Sequence, residues 1–478
     1  MHTFHQFYID GQWVDPVNGG KICEVINPAT EQVAGTILLG DGADVDRAVS
    51  AAHRAFDGFS RTTLQQRIDL LRAIAQAYEA RLNDLAEAIC EEMGAPLHTL
   101  ARPVQAPIGL WHLQTAIALA AHYPFEQQQG TSLIVREPVG VCALITPWNW
   151  PMNQIVCKVA PALLTGCTVV LKPSELAPLS SQVFAEILAS AGVPPGVFNM
   201  IYGDGAKIGP LLSSHPLVDM VSLTGSTRAG ASVAKHAADS IKVVSLELGG
   251  KSANIILDDA PLEQAVTAGV LGMMNNSGQS CNAPSRMLIP AAKLAQAEQI
   301  AAAALAQLVV GDPQAVTTTT GPIANARQFE RVQALVGKGI GEGARVIAGG
   351  LGRPEGLTRG YYARPTIFSG VHNGMCIARE EIFGPVLTMI AYDTEEEAIA
   401  IANDSEYGLS GFVYGGTLTH AAAVAKRLRT GMVHLNGATV DPAAPFGGYK
   451  QSGVGREWGN AGIDEFVEIK AIMGSCTI

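Results

Sequence analysis

From Val139 onward the chain alternates short apolar runs with longer stretches in which apolar residues recur every three or four positions. The runs predict strands near 141–146, 168–171, 197–201, 219–223 and 241–246, and the stretches predict helices near 153–165, 180–191, 204–213 and 226–238. Strands with no polar face, each followed by a helix, build a parallel sheet covered on both sides, whose ligand site lies at the carboxyl ends of the strands. After a strand at 253–257 the rhythm repeats. Helices are predicted near 261–276, 293–308, 326–338, 395–403 and 420–429, and strands near 286–289, 344–348, 366–368, 386–391 and 432–435. This second α/β unit ends at a glycine-rich loop, Pro445-Phe-Gly-Gly448 and Gly453-Val-Gly455.

The first part of the chain follows another pattern. Residues 4–40 carry short alternating segments broken by Asp10-Gly11, Asn18-Gly-Gly20 and Asn27-Pro28, the signature of a small hairpin layer. Asp44 is the expected N-cap of a helix over 45–57, and 63–92 place Leu64, Ile68, Leu71, Ile74 and Tyr78 on one helical stripe. A further helix is expected from Trp111 to Ala121 and a strand over Leu133–Glu137. The tail Phe466–Met473 alternates like a strand, and a lone terminal strand needs a partner; with 131–137 it is expected to form a sheet across a subunit boundary.

Composition narrows the partners. A chain of 478 residues exceeds what one core serves, so two or three domains are expected, and 48% hydrophobic with 16% charged residues excludes disorder. The net charge of -11, with no long basic run, argues against nucleic acid and anionic membrane surfaces. No apolar run reaches the roughly 18–20 residues of a membrane span. The N-terminus lacks the cationic start and apolar core of a secretory signal, so a cytoplasmic location is expected. Eight cysteines, at 23, 90, 142, 157, 167, 281, 376 and 476, form no CxxC pair, which suits neither a disulfide framework nor a metal site.

Candidate chemistry gathers at Ser245-Leu-Glu-Leu-Gly-Gly-Lys-Ser252 and Ser277-Gly-Gln-Ser-Cys-Asn282. Thiolate sulfur attacks carbonyl carbon well, and a nearby carboxylate activates water against an acyl-enzyme, so Cys281 and Glu247 are the expected nucleophile and base. Taken singly, each also reads as an ordinary buried thiol and a surface or capping carboxylate. Other motifs are equally open in isolation. Thr224-Gly-Ser-Thr-Arg-Ala-Gly230, between a strand and a helix, frees backbone N–H groups and places Ser226 where a phosphate binds, yet Thr227 holds the middle glycine position of the dinucleotide fingerprint. Lys172-Pro-Ser-Glu175 ends a strand with an acid suited to ribose hydroxyls, and Glu175 would repel a 2'-phosphate, which favours NAD over NADP. Thr146-Pro-Trp-Asn-Trp-Pro151 fixes a rigid bend and presents the Asn149 amide, a donor type that stabilises an oxyanion. Glu380-Glu-Ile-Phe-Gly-Pro385 offers a carboxylate for another ribose, or simply an acidic helix end.

Together, Pro147-Trp-Asn-Trp-Pro151, Lys172-Pro-Ser-Glu175, Thr224-Gly-Ser-Thr227, Glu247-Leu-Gly-Gly-Lys251, Gly278-Gln-Ser-Cys281, Glu381-Ile-Phe-Gly-Pro385 and Pro445-Phe-Gly-Gly448 resemble the successive motifs of the aldehyde dehydrogenase superfamily, in its order and across nearly the whole chain. The resemblance implies a Rossmann-type cofactor domain (1–122 and 139–247), a second α/β catalytic domain (248–451) and a small β oligomerisation element (123–138 and 452–478), in a homodimer or homotetramer. It implies Cys281 as nucleophile, Glu247 as the base for the deacylating water, Asn149 with the Cys281 backbone N–H as oxyanion hole, and Lys158 and Glu457 in proton movement. Thr146, Trp148, Lys172, Ser174, Glu175, Gly225, Ser226, Leu248, Glu381 and Phe383 become NAD contacts. Trp150, Asn153, Cys157, Ser280, Asn282 and Phe446 become the aldehyde tunnel, in which no arginine appears. The implied reaction consumes an aldehyde, NAD and water and releases an acid. Relatives that pass the acyl group to coenzyme A generally lack the glutamate, so Glu247 points to hydrolysis. The alternatives are an NADP-using semialdehyde dehydrogenase and a non-catalytic dinucleotide-binding oligomer.

Overall fold

Aliphatic strands that bury both faces organise the computed structural model, which describes residues 1–474. Residues 475–478, with Cys476 and the end of the expected oligomerisation element, lie outside the described residues. Five parallel strands form the middle of the first sheet, in the spatial order Val243–Glu247, Met220–Thr224, Val141–Ile145, Thr168–Lys172 and Phe198–Met200. Antiparallel strands close both edges: Gly453–Val454 beside Val243–Glu247, and the hairpin Phe7–Ile9 with Gln12–Val14 beside Phe198–Met200. The predicted helices Pro151–Thr165, Pro178–Ser190, Gly205–Ser214 and Thr227–Ala238 follow their strands.

A second sheet of seven strands runs Arg345–Ala348, Thr366–Ser369, Val386–Tyr392, Arg286–Pro290, Ala253–Ile256, Ser410–Tyr414 and Met432–Leu435. Only Arg345–Ala348 is antiparallel to its neighbour. Of three further small sheets, one is formed by His2–Phe4, Gln32–Leu39 and Lys21–Asn27, so the N-terminal hairpin region splits between its own layer and the edge of the first large sheet. No helix among the described residues is long and apolar enough to cross a membrane.

Several expectations are corrected. The first helix spans Gly42–Ser60 and is capped by Asp41, not Asp44. Asp44 is the third residue of a capping box: its carboxylate accepts from Asp41 N–H at 3.0 Å and from Val17 N–H at 2.8 Å, which explains why it is buried. The single helical pattern over 63–92 is two helices, Leu64–Ala80 and Leu82–Met93, because Arg81 leaves helical geometry (φ -112°, ψ 14°) with its guanidinium drawn to Asp84 and Glu186. The helix expected near 420–429 is Leu418–Ala425, started two residues early by the Thr417 cap. The tail strand Val467–Met473, by contrast, pairs as expected with the 131–137 segment, antiparallel to Ser132–Pro138.

Candidate active site

Strand order in the first sheet decides which loops meet. Val141–Ile145 and Met220–Thr224 are neighbours although the chain visits two other strands between them, and the crevice of a parallel sheet opens at such a switch point. There the turns carrying Trp148 and Asn149, and Gly225 and Ser226, line a cleft of about 750 Å3 together with Leu248, Cys281, Glu381 and Phe383.

The Asn149 side chain is held at both ends. Its Nδ2 donates to the Gln279 carbonyl at 2.9 Å, and its Oδ1 accepts from Gln154 Nε2 at 2.9 Å. A carbonyl takes only a donor, so these two bonds fix which end of the amide is nitrogen and leave one N–H of Asn149 unclaimed. Asn276 Nδ2 donates 2.9 Å to the Asn149 carbonyl, and Trp150 Nε1 donates 2.8 Å to Ser280 Oγ, so the turn is bolted to the Cys281 segment at the asparagine and beside it.

That segment is unusually wound. Asn276, Ser277 and Gly278 take φ of 52°, 55° and 70°, three consecutive left-handed residues. Each non-glycine in that region costs about 1–2 kcal/mol, and the turn survives because its side chains are tied elsewhere: Ser277 Oγ donates to Gly321 O at 2.8 Å and Gln279 Oε1 accepts from Ala324 N–H at 2.9 Å. Glycine is obligatory at 278, where a Cβ would lie 2.1 Å from the Gly384 carbonyl oxygen. Three residues on, Cys281 is half-buried in the cleft wall. Burial first, then the charges of Glu381, Glu247 and Glu457, push its thiol well above the usual cysteine range, so the resting sulfur is protonated.

Glu247 ends the strand Val243–Glu247 and is buried with neither oxygen hydrogen-bonded. It rests beside the cleft rather than in its wall, its Oε1 against Gly447, where a Cβ would lie only 2.5 Å away. Burial and the neighbouring Glu457 raise its carboxyl well above the usual range. Lys158 and Glu457 form a buried ion pair, with Lys158 Nζ also donating 2.9 Å to Ser222 Oγ and the Cys157 thiol donating 3.3 Å to Glu457 Oε2. Burial opposes the charge of Lys158, but the Glu457 carboxylate outweighs it and keeps the ammonium charged.

Of the expected cofactor residues, Trp148, Gly225, Ser226, Leu248, Glu381 and Phe383 share the cleft, and the Trp148 and Phe383 rings meet edge-on at 5.5 Å. Ser226 caps the helix Thr227–Ala238 by accepting from Ala229 N–H at 3.3 Å, which leaves its own proton free at a helix N-terminus. Glu381 accepts from Gly250 N–H at 2.9 Å, and burial raises it to about 7. Thr146, Lys172, Ser174 and Glu175 lie outside that wall; Lys172 Nζ is 2.7 Å from Glu175 Oε2, beside Leu176, which does line the cleft.

The expected tunnel residues are not gathered in one cavity. Cys157 shares a small cavity with His112 and Trp458, Ser280 faces a crevice behind the left-handed turn, and Asn153 Oδ1 accepts 2.7 Å from His112 Nε2. Phe446 packs with Cys157, Leu409 and Trp458 in an apolar cluster against which Cys281 lies. Asn282 follows Cys281 on the same turn, half-buried. Reading the sequence missed Gln154 and Asn276, whose amides carry no motif of their own, gave no role to Gln279 or Arg228 within the motifs that hold them, and missed Arg327 and Arg331; Gln154 and the three arginines line the cleft.

Fold and cleft together define an α/β protein of two large sheets with a thiol facing a nucleotide-sized crevice. Comparison with known proteins gives the class a family. The model of the aldehyde dehydrogenase family matches residues 13–472. Over 474 residues the chain is 60% identical to a 3-succinoylsemialdehyde-pyridine dehydrogenase from a Pseudomonas species, with 99% of each chain covered. Its structure is similar to that of a cysteine-to-alanine variant of aldehyde dehydrogenase C from Pseudomonas syringae, complexed with NAD+ and octanal (TM-score 0.97, 52% identity, 98% of this chain and 96% of that one). It is also similar to a Mycobacterium tuberculosis aldehyde dehydrogenase complexed with NAD+ (TM-score 0.97, 38% identity, 100% of both chains). The chain belongs to the aldehyde dehydrogenase family, and the oxidation of aldehydes to acids is that family's general reaction.

Proposed function

We propose that this chain oxidises an uncharged aldehyde to its carboxylic acid with NAD and water, through a thiohemiacetal and then a thioester on Cys281. The observation that carries the reading is the Asn149 amide, fixed by Gln154 and Gln279 with one N–H unclaimed, in the same cleft as the Cys281 thiol. The Cys281 thiol gives up its proton to solvent water as its sulfur adds to the aldehyde carbon, and the Asn149 N–H with the Cys281 backbone N–H receives the oxyanion. NAD, when bound, supplies the hydride acceptor. Glu247, in its ionised form, takes a proton from the water that hydrolyses the thioester, and the Lys158–Glu457 pair lies behind it to pass that proton on.

The cleft suits a dinucleotide. Ser226 offers a hydroxyl proton at a helix N-terminus for the pyrophosphate, with Gly225 beside it, and Glu381 and Phe383 sit at the nicotinamide end with Trp148 and Leu248 in the wall. Gly249 makes this possible, since a Cβ there would lie 2.3 Å from Glu381 Oε2. Thr146, Lys172, Ser174 and Glu175 are assigned to the adenosine end. The Lys172–Glu175 pair supports NAD over NADP, and Glu247 and Glu457 near the thiol disfavour a carboxylate-bearing semialdehyde. The octanal bound to the Pseudomonas syringae relative supports an apolar chain against Trp150 and Phe446.

We further assign 1–122 with 139–247 to cofactor binding, 248–451 to catalysis, and 123–138 with 452–478 to assembly of a cytoplasmic homodimer or homotetramer. Exposed Ile469, Ile472 and Met473 on the tail strand support the assembly role, and light scattering tests it. The reaction is tested by NADH release. Glu247→Gln is expected to give one rapid turnover and then stall, and Cys281→Ala to give none; undiminished steady turnover in either variant refutes the assignment.

A further inference from the structure

Glu457 is clamped on both carboxylate oxygens. Oε1 takes the Lys158 ammonium, and Oε2 accepts from the Cys157 thiol at 3.3 Å. All three side chains are buried. Two of them are also tied elsewhere: Glu457 exchanges two 2.7 Å backbone bonds with Phe446, and Lys158 Nζ donates 2.9 Å to Ser222 Oγ. After burial, the charge of Glu457 is the largest influence raising Glu247, so the two carboxyl groups are electrostatic neighbours. A proton that leaves Glu247 for Glu457 therefore arrives at a carboxylate whose ammonium partner is already fixed, and the adjustment falls to the oxygen that faces the thiol.

The thiol has somewhere else to turn. Gln154, one turn earlier on the helix Pro151–Thr165, presents its carbonyl oxygen 3.7 Å from Cys157 Sγ, within reach of an S–H bond. Rotation about the Cβ–Sγ bond carries only the hydrogen from one acceptor to the other, and the packing around the sulfur stays as it is. Burial and the Glu457 charge push the Cys157 thiol well above the usual cysteine range, so the sulfur keeps its proton in both positions. Once Oε2 is protonated it is a weak acceptor, and a buried S–H left pointing at it loses most of its bond. The Gln154 carbonyl takes that S–H, and the sulfur, a weak acceptor in its own right, is left to receive the new O–H of Glu457. A valine or alanine at this position offers neither exchange.

We propose that Cys157 is a positioning residue whose thiol alternates between Glu457 Oε2 and the Gln154 carbonyl, so that Glu457 can take up the proton that Glu247 draws from the hydrolytic water. In this step a Glu247 carboxyl and a Glu457 carboxylate become a Glu247 carboxylate and a Glu457 carboxyl, and Cys157 keeps its own proton throughout. The inference rests on the proposed function, since it requires Glu247 to activate the water. The test quenches the enzyme in acid while it turns over octanal and NAD, and intact mass spectrometry reads the fraction of chains acylated on Cys281. Dividing kcat by that fraction gives the rate of thioester hydrolysis, and dividing it by the remainder gives the rate of acyl formation, whichever step limits turnover. Cys157→Val, close in size and without a donor, lowers the hydrolysis rate by about 3- to 10-fold, the span of one hydrogen bond from a weak donor, and leaves acyl formation near the wild-type rate. Cys157→Ser, which keeps a rotatable hydroxyl, rescues hydrolysis. Hydrolysis at the wild-type rate in Cys157→Val overturns the inference, as does a serine variant as slow as the valine one, or a parallel loss of both steps. Should Cys157→Val not fold, Cys157→Ala carries the same expectation. A wild-type enzyme that forms neither NADH nor acyl-Cys281 overturns the proposed function itself, an outcome distinct from equal hydrolysis in all variants.

Discussion

The Asn149 amide donates 2.9 Å to the carbonyl oxygen of Gln279, two residues before Cys281, and so joins the mouth of the first sheet to the nucleophile turn. Losing an oxyanion donor typically costs about 10²–10³ in kcat. Asn149→Ala is expected to fall in that range with NAD affinity, read by fluorescence quenching, little changed. Gln154→Leu leaves the amide present but free to turn, and is expected to lose about tenfold, roughly one hydrogen bond to a polar group. Unchanged activity in Gln154→Leu would mean that Gln154 does not set the direction of the amide.

Gly278 is where backbone handedness and packing coincide. Gly278→Ala places a Cβ at φ 70° and 2.1 Å from Gly384 O, so destabilisation exceeds the roughly 1–2 kcal/mol of the backbone term alone. Calorimetry should show a lowered Tm and alkylation of Cys281 a changed rate.

The pH dependence follows from two raised groups. Below the ordinary carboxylate range Glu247 is protonated in folded and unfolded chains alike; as pH rises, the unfolded chain loses that proton while the folded chain keeps it, so stability declines until the raised folded value is passed. Glu247→Gln has no such decline, and its stability advantage over wild type should grow as pH climbs from about 4. A charged Glu247 also raises the Cys281 thiol, so once the pH is high enough to ionise Glu247, alkylation of Cys281 should be faster in Glu247→Gln. A slower rate would contradict the electrostatics.

Removing one member of a buried ion pair strands the other. Lys158→Met should lower stability by about 3–5 kcal/mol, and adding Glu457→Leu should recover most of it. Chemical denaturation of both variants measures the difference.

Glu175 pairs with Lys172 at 2.7 Å. Glu175→Ser frees the ammonium and removes the repulsion of a 2'-phosphate, so kcat/KM for NADP should rise by about tenfold, equivalent to about 1.4 kcal/mol. Unchanged NADP use would move the ribose away from this pair.

The α/β rhythm was legible because the central strands have no polar face, and the cleft was legible because its residues come from turns with fixed chemistry, such as Pro147–Asn149 and Gly225–Ser226. What stayed hidden depends on distant partners. Nothing local distinguishes Asp41 from Asp44 as a cap until Val17 claims the latter. Among the left-handed residues only Gly278 carries a sequence signal; Asn276 and Ser277 adopt theirs because Gln105, Asn149 and Gly321 bind them. The resting place of Glu247 is set by Gly447, two hundred positions away. The placing of Cys157 and Ser280 in different recesses is likewise something that spacing along the chain does not encode.

The left-handed turn at 276–278 draws its supports from segments around 105, 149, 321 and 384, which belong to both halves of the protein. The sulfur at 281 therefore acquires its working orientation only after those halves have docked, so a chain still being made carries an unarmed thiol. By the same logic, a slight loosening of the docking silences the enzyme while its helices and strands persist, and loss of turnover should precede loss of circular dichroism on gentle heating.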